Sequence, residues 1–102
     1  MTSIDMNKSI QLSSRVRYRA VDDEGVVVHL DNGQVIVVNG VGLFILQQLD
    51  QAKTVNKLVS AMVDKFHISP DTAYNDLVRY LAELSEQQVL EEAPGSASMS
   101  LT

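Results

Sequence analysis

The stretch that most constrains this chain is Gln34-Val35-Ile36-Val37-Val38, followed at once by Asn39-Gly40. A run of β-branched residues suits a pleated strand, and this one is apolar on both strand faces, without a charge or a proline. Exposed strand edges are normally blunted with lysine, proline or a bulge, because unpaired N–H and C=O groups invite another chain. Gln34 to Val38 has none of these defences. The run is therefore either a fully covered central strand or an edge left open for another segment to pair with.

The flanking sequence favours the edge. Arg15-Val16-Arg17-Tyr18-Arg19-Ala20 alternates with the period of a half-buried strand. It puts Arg15, Arg17 and Arg19 on one face and Val16, Tyr18 and Ala20 on the other. A solvated outer face accounts for the arginine row, with anion binding as the sharper alternative. Val21-Asp22-Asp23-Glu24-Gly25 reads as an acidic turn and Val26 to Leu30 as a second strand. Asp31-Asn32-Gly33 is a hairpin signal, since asparagine and glycine tolerate positive φ. Three strands joined by two short turns make an antiparallel meander with Gln34 to Val38 at one edge.

The period then changes. Asn39 can cap a helix containing Val41, Phe44, Ile45, Leu46 and Leu49, so apolar that it must be largely buried. Gly40 and Gly42 suit its first turn or a close approach of two backbones. Thr54 caps a second helix, with Val55, Leu58, Val59, Met62, Val63 and Phe66 along one stripe. Ser69-Pro70-Asp71 opens a third, running to about Gln87 with Ala73, Leu77, Leu81 and Leu84 on its inward line. Val89-Leu90 is a short apolar stop. Residues 1–14 read as a flexible lead-in, 15–92 as one domain and 93–102 as a disordered tail. Strands followed by helices indicate an α+β fold, here a winged-helix-like one with a three-stranded antiparallel sheet followed by three helices.

Composition narrows the chemistry. The 102 residues suffice for one core. The absence of cysteine excludes disulfides, zinc thiolates and a cysteine nucleophile, and fits a cytoplasmic setting. No basic-then-apolar signal opens the chain, and no apolar run approaches the roughly 18 residues of a membrane span. A formal net charge of −5 argues against nucleic acid, whose binders displace phosphate counterions with cations. His29 and His67 lack metal-ligand spacing, no serine sits in an elbow, and Gly40-Val41-Gly42 lacks the rest of a phosphate loop. Neither catalysis nor a cofactor or metal is expected.

What remains is binding. On helix three, Leu77 marks the centre of the buried face, with Ala73, Asp76 and Tyr80 on one flank and Tyr74 and Val78 on the other. An extended peptide could add a strand to Gln34 to Val38 and settle its side chains between strand three and helix three. Asp76 would then favour a basic or hydrogen-bond-donating group. The bland reading, in which both tyrosines widen a small core, stays open beside it.

Several segments together resemble the PqqD family. These are Val16-Arg17-Tyr18-Arg19, Asp23-Glu24-Gly25, Val38-Asn39, Leu43 to Asp50, Thr54 to Val59 and Asp76 to Leu84, in that order and spacing. The resemblance spans residues 15–91. It implies a RiPP recognition element, a non-enzymatic peptide chaperone that holds the leader segment of a ribosomally made precursor. Such a domain presents the leader to a modifying enzyme, a radical SAM protein in PQQ biosynthesis or a leader peptidase in lasso-peptide systems. It also implies that the leader pairs with the third strand and packs on the third helix. That places it on Gln34, Val35, Ile36, Val37, Val38, Ala73, Asp76, Leu77 and Tyr80. Two positions depart from the family pattern: Asp50 precedes Gln51 where Asp-Gly is usual, and Gln88-Val89 stands for Gly-Leu. A stand-alone module must recruit its enzyme through a second surface, for which the arginine row is a candidate, and an open edge strand could also pair with its twin in a homodimer. The alternative, a winged-helix DNA-binding regulator, would want cations on helix three, where Arg79 stands against Asp71, Asp76, Glu83 and Glu86.

Overall fold

The structure, a computed structural model, describes residues 7–93. The expectations for residues 1–6 and 94–102, lead-in and tail, lie outside them. The elements are β1 (Ser9–Leu12), β2 (Val16–Val21), β3 (Glu24–His29), β4 (Val35–Val38), α1 (Gly40–Gln48), β5 (Lys53–Thr54), α2 (Val55–Phe66), α3 (Pro70–Glu86) and β6 (Leu90–Glu92). The fold is α+β, and its three-stranded meander followed by three helices is the one read from the sequence.

The meander has the order β2-β3-β4, antiparallel throughout, with Val16 opposite His29 and Gly25 opposite Val38. Its inner face carries Val16, Val27 and Ile36, all buried, and the half-buried Tyr18 and Val38. The hairpin at Asn32-Gly33 forms as expected. Gly33 takes a φ of 71°, and the Asn32 side chain accepts from the Gln34 N–H at 2.8 Å. Gln34 consequently belongs to the turn, and the third strand begins at Val35. At the other hairpin Asp22 adopts a φ of 56°, so the acidic turn is tighter than its five residues suggest and β3 starts at Glu24.

Each helix starts where a capping side chain says it should. Asn39 Oδ1 accepts from the Gly42 N–H at 2.9 Å, Thr54 Oγ1 from Lys57 at 3.2 Å and Ser69 Oγ from Thr72 at 3.2 Å. Each cap satisfies one of the amide donors a helix N-terminus leaves over, typically worth ~1 kcal/mol. α1 lies so close to the sheet that a Cβ on Gly42 would come within 2.8 Å of Val38 Cβ. Glycine is required there by close approach, as the sequence suggested. The core joins Ile45, Leu46 and Leu49 from the α1 region to Leu58 and Met62 of α2 and Leu77 and Leu81 of α3. Each such aliphatic side chain, fully buried, contributes about 1.5–3 kcal/mol. Phe44 and Phe66 meet edge to face at 5.4 Å, closing the α1–α2 contact.

The second sheet corrects the reading of the ends. β1 pairs with β5 on one side and β6 on the other, in the order β5-β1-β6. Ser9–Leu12 is thus a central strand rather than part of a flexible lead-in, and the domain expected at 15–92 begins before residue 15. Ile10 is buried, Lys8 pairs with Glu92 at 2.9 Å, and the Ala93 N–H donates to Ser9 O at 3.0 Å. Ala93, assigned to the tail by sequence, is itself buried. Ile10 and Leu12 alternate with Ser9 and Gln11, but four residues are too few for a period to stand out from polar neighbours.

α3 ends in a left-handed turn. The Gln88 N–H donates to Ser85 O at 3.0 Å and the Val89 N–H to Leu84 O at 2.9 Å, with Gln88 at a φ of 61°. These paired bonds, with Leu84 and Val89 both buried, form the Schellman motif. Glycine is the residue that adopts this conformation most readily, which accounts physically for the Gly-Leu pattern from which this chain departs.

Candidate peptide groove

Strand β4 is an edge, and hydrogen-bond alternation shows which of its groups are open. The His29 N–H donates to Gln34 O at 2.9 Å, fixing that pair as a bonded one. In an antiparallel ladder bonded pairs alternate with non-bonded ones. Ile36 opposite Val27 and Val38 opposite Gly25 are therefore bonded to β3. On the other side of β3, the Leu30 N–H donates to Arg15 O at 2.7 Å, which makes Val28 and Val26 the residues bonded to β2. The N–H and C=O groups of Val35 and Val37 point away from the sheet, and among the described residues no strand lies beside them.

Beside this edge runs a groove of roughly 390 Å³ between β4 and α3. Its strand wall is Ile36, Val37, Val38 and Asn39, and its helix wall is Tyr80, Glu83, Leu84 and Gln87. Glu24 of β3 also lines it. Asn39 ties the walls together: its Nδ2 donates to the Tyr80 hydroxyl at 2.9 Å, and that hydroxyl lies 3.2 Å from Oδ1. The same Oδ1 caps α1, so one side chain sets both where the helix starts and how far α3 stands from β4. The charged lining residues, among those described, are Glu24 and Glu83.

The expected site residues divide. Val35, Ile36, Val37, Val38 and Tyr80 gather at the groove, while Gln34 sits in the turn at the far end of β4. Asp76 lies one turn before Tyr80 and is engaged with Arg79 at 3.3 Å, whose guanidinium is 5.8 Å from the Tyr80 ring centre. Ala73 and Leu77 have no accessible surface. They are core positions and present nothing to a peptide in this structure. Glu83, Leu84 and Gln87 occupy the place assigned to them. The i, i+3, i+4, i+7 progression from Tyr80 reaches all three, a signal that was in the sequence. Tyr74 lines a separate cleft with Asn56, Val59 and Val63 of α2, so of the two flanks the one bearing Tyr80 borders β4.

Three further polar features lie outside the groove. The Tyr18 hydroxyl donates to Asp50 at 2.8 Å, and burial with this carboxylate partner pushes its pKa up to about 12. Arg15 grips Asp31 through Nε at 2.9 Å and Nη2 at 2.6 Å, holding the carboxyl below its usual range. His29 is buried with neither ring nitrogen hydrogen-bonded. Among the described residues no His, Asp and Glu group is arranged to hold a metal, and no helix is long and apolar enough to cross a membrane.

Comparison with known proteins places this geometry. Residues 24–90 match the family model described as coenzyme PQQ synthesis protein D (PqqD). Among solved structures, TbiB1 in complex with the TbiA(beta) leader peptide superposes with a TM-score of 0.74 at 28% identity, covering 86% of this chain and 99% of that one. The PqqD truncation of Methylobacterium extorquens PqqCD, described as a functional and stand-alone RiPP recognition element, superposes at 0.72 with 20% identity, covering 88% and 96%. No curated protein matches the sequence. The DNA-binding alternative finds no support, since Arg79 on α3 is already paired to Asp76.

Proposed function

We propose, because this chain belongs to the PqqD family, that it is a RiPP recognition element which captures the leader segment of a precursor peptide by strand addition to β4. The observation that carries this reading is the open edge at Val35 and Val37 beside the α3 groove. A peptide strand there gains main-chain hydrogen bonds from those two residues, while its alternate side chains enter the groove. Ile36, Val38 and Leu84 offer apolar seats, and Glu24 and Glu83 attract a basic side chain. TbiB1, of similar fold, is a leader-peptide binder by its own description.

The protein itself does no chemistry in this scheme. It holds the leader for a modifying enzyme, either a radical SAM protein or a leader peptidase, and PQQ and lasso-peptide pathways are both settings that fit. The binding site is Val35 to Val38 with Tyr80, Glu83, Leu84 and Gln87; Gln34 and Asp76 flank it, and Ala73 and Leu77 support it from the core. A homodimer formed through β4 would use the same backbone groups and compete with the peptide.

Titrating isotope-labelled protein by NMR with the leader of a precursor encoded beside it tests the reading. Amide shifts should concentrate on Val35 to Val38 and on the face of α3 from Tyr80 to Gln87. Shifts centred instead on Tyr74 and the α2 cleft, or no binding by a well-folded protein, would overturn it.

A further inference from the structure

We infer that the outer face of the β2-β3-β4 sheet is the docking surface for the modifying enzyme, and that a bound leader strand completes it. The enzyme surface that fits is apolar at its centre, with carboxylates set over Arg17 and Arg19. This rests on the peptide-capture reading above but uses the opposite face of the sheet.

The face is built in cross-strand rows. Arg17, Val28 and Val35 form one, and Arg19, Val26 and Val37 the next. Val35 and Val37 are 59% and 60% exposed, and Val28 is 37% exposed. The outward face of an antiparallel sheet is ordinarily polar, and scattered apolar residues need no explanation whereas contiguous ones do. The helices pack on the inner face, so among the described residues no element covers these valines.

The charges on the face identify its occupant. Arg15 is neutralised by Asp31, which removes it from the expected arginine row. Arg17 uses Nη1 on the carbonyls of Ser14 and Val16, at 3.2 and 2.8 Å, leaving its other nitrogens available. The Arg19 side chain makes no ion pair or hydrogen bond among the described residues. On a chain of net charge −5 this is a local reversal of sign, and complementary charge selects an acidic partner.

Size argues for a composite surface. Three strands of about five residues present a patch of about 10 by 17 Å, on the order of 200 Å². A stable interface takes about 800 Å² from each partner, so two copies meeting through this face alone fall far short of a dimer, and an enzyme seated on it must also reach surface beyond the sheet. A peptide on β4 adds a fourth row about 4.8 Å away. Its residues opposite Val35 and Val37 point to the same side as those valines and extend the apolar strip. An enzyme reading this surface therefore distinguishes loaded from empty protein, and the preference is reciprocal: the enzyme tightens leader binding by the same factor.

The test uses the full chain, the leader peptide and the modifying enzyme encoded with them. Leader affinity is read by fluorescence anisotropy and enzyme affinity by surface capture, with and without leader. Wild-type protein should bind the enzyme about fivefold or more tightly when loaded. The Arg17→Glu/Arg19→Glu double variant, and separately Val26→Ser, should keep leader affinity and weaken enzyme binding at least about tenfold. Raising salt from about 50 to about 500 mM should weaken wild-type enzyme binding and leave the double variant little changed. Unchanged enzyme affinity in both variants, with leader still bound, would overturn the inference and leave peptide capture standing. So would a wild-type dimer by sedimentation that the double variant abolishes, because a second copy would then be the occupant. Failure of wild-type protein to bind leader would instead bring down the capture reading and this inference with it.

Discussion

Replacing Val37 by proline separates strand addition from every other way of using the groove. The Val37 N–H points away from the sheet, because the bonded partners across β3 and β4 are Val27 with Ile36 and Gly25 with Val38. Proline at position 37 therefore removes no ladder bond and is the kind of edge substitution sheets tolerate. A peptide paired with β4 loses one hydrogen bond, worth about 1 kcal/mol net, and its own carbonyl is left unpaired against the protein at a cost of about 1–3 kcal/mol. The sum, on the order of 2–4 kcal/mol, corresponds to a loss of roughly 30- to 700-fold in leader affinity. Proline's fixed φ costs the free fold about 1 kcal/mol at most, a drop in Tm of about 4–8 °C for a domain this size. Ile36→Pro is the contrast: it deletes a donor to β3, leaves a buried carbonyl unpaired and should destabilise by about 2–4 kcal/mol. Anisotropy of a labelled leader, with melting curves for both variants, decides the matter. A folded Val37→Pro protein that binds leader like the wild type would refute strand addition to β4.

Two other consequences concern stability. Gln88→Gly relieves a left-handed residue in the turn after α3, and should raise stability by about 0.5–1 kcal/mol after allowance for the greater unfolded-state entropy of glycine; urea denaturation measures it, and a loss of stability would contradict the turn. The Tyr18 phenol, with a pKa raised to about 12 in the folded protein against an ordinary value of 10, supports the fold fully below pH 10 and loses that support as the pH climbs towards 12. Solvent screening at this half-exposed group limits the effect to about 1 kcal/mol; Tyr18→Phe should flatten that part of the stability–pH curve, and an unaltered slope would show that the phenol is not the group responsible.

Much of the fold was legible because its signals are local. The Asn32-Gly33 hairpin, the three caps at Asn39, Thr54 and Ser69, and the stripe from Val55 to Phe66 each depend on residues within a few positions of one another. The sheet formed by β1, β5 and β6 was not legible for the opposite reason. Its strands have four, two and three residues, too short for a period. Its pairings, such as Ile10 with Glu92, join positions at opposite ends of the sequence. The groove fell between these cases. The undefended run marked one wall by composition alone. The helix wall was placed too early on α3, because Ala73 and Leu77 share Tyr80's side of the helical net but sit deeper in the core. The hydrogen bond from Asn39 to Tyr80, spanning 41 positions, has no sequence signature at all.

That bond also bears on why an edge can stay open. A bare strand of valines and isoleucine invites pairing with any extended chain, yet β4 offers only the outward groups of Val35 and Val37 before the backbone turns at Asn39 into α1. Two residues' worth of main-chain bonding gives a passing strand little affinity, and two like-charged copies of this chain oppose each other's approach. Selectivity must then come from side chains that the groove can seat, between the Asn39-pinned wall of α3 and the strand. In the proposed mode of capture, the same shortness that protects the edge from indiscriminate pairing makes binding depend on the few peptide residues facing Ile36, Val38, Tyr80 and Leu84. A leader sequence should accordingly tolerate change at positions facing the outer valines far better than at those facing α3, unless the enzyme is present to read the outer row.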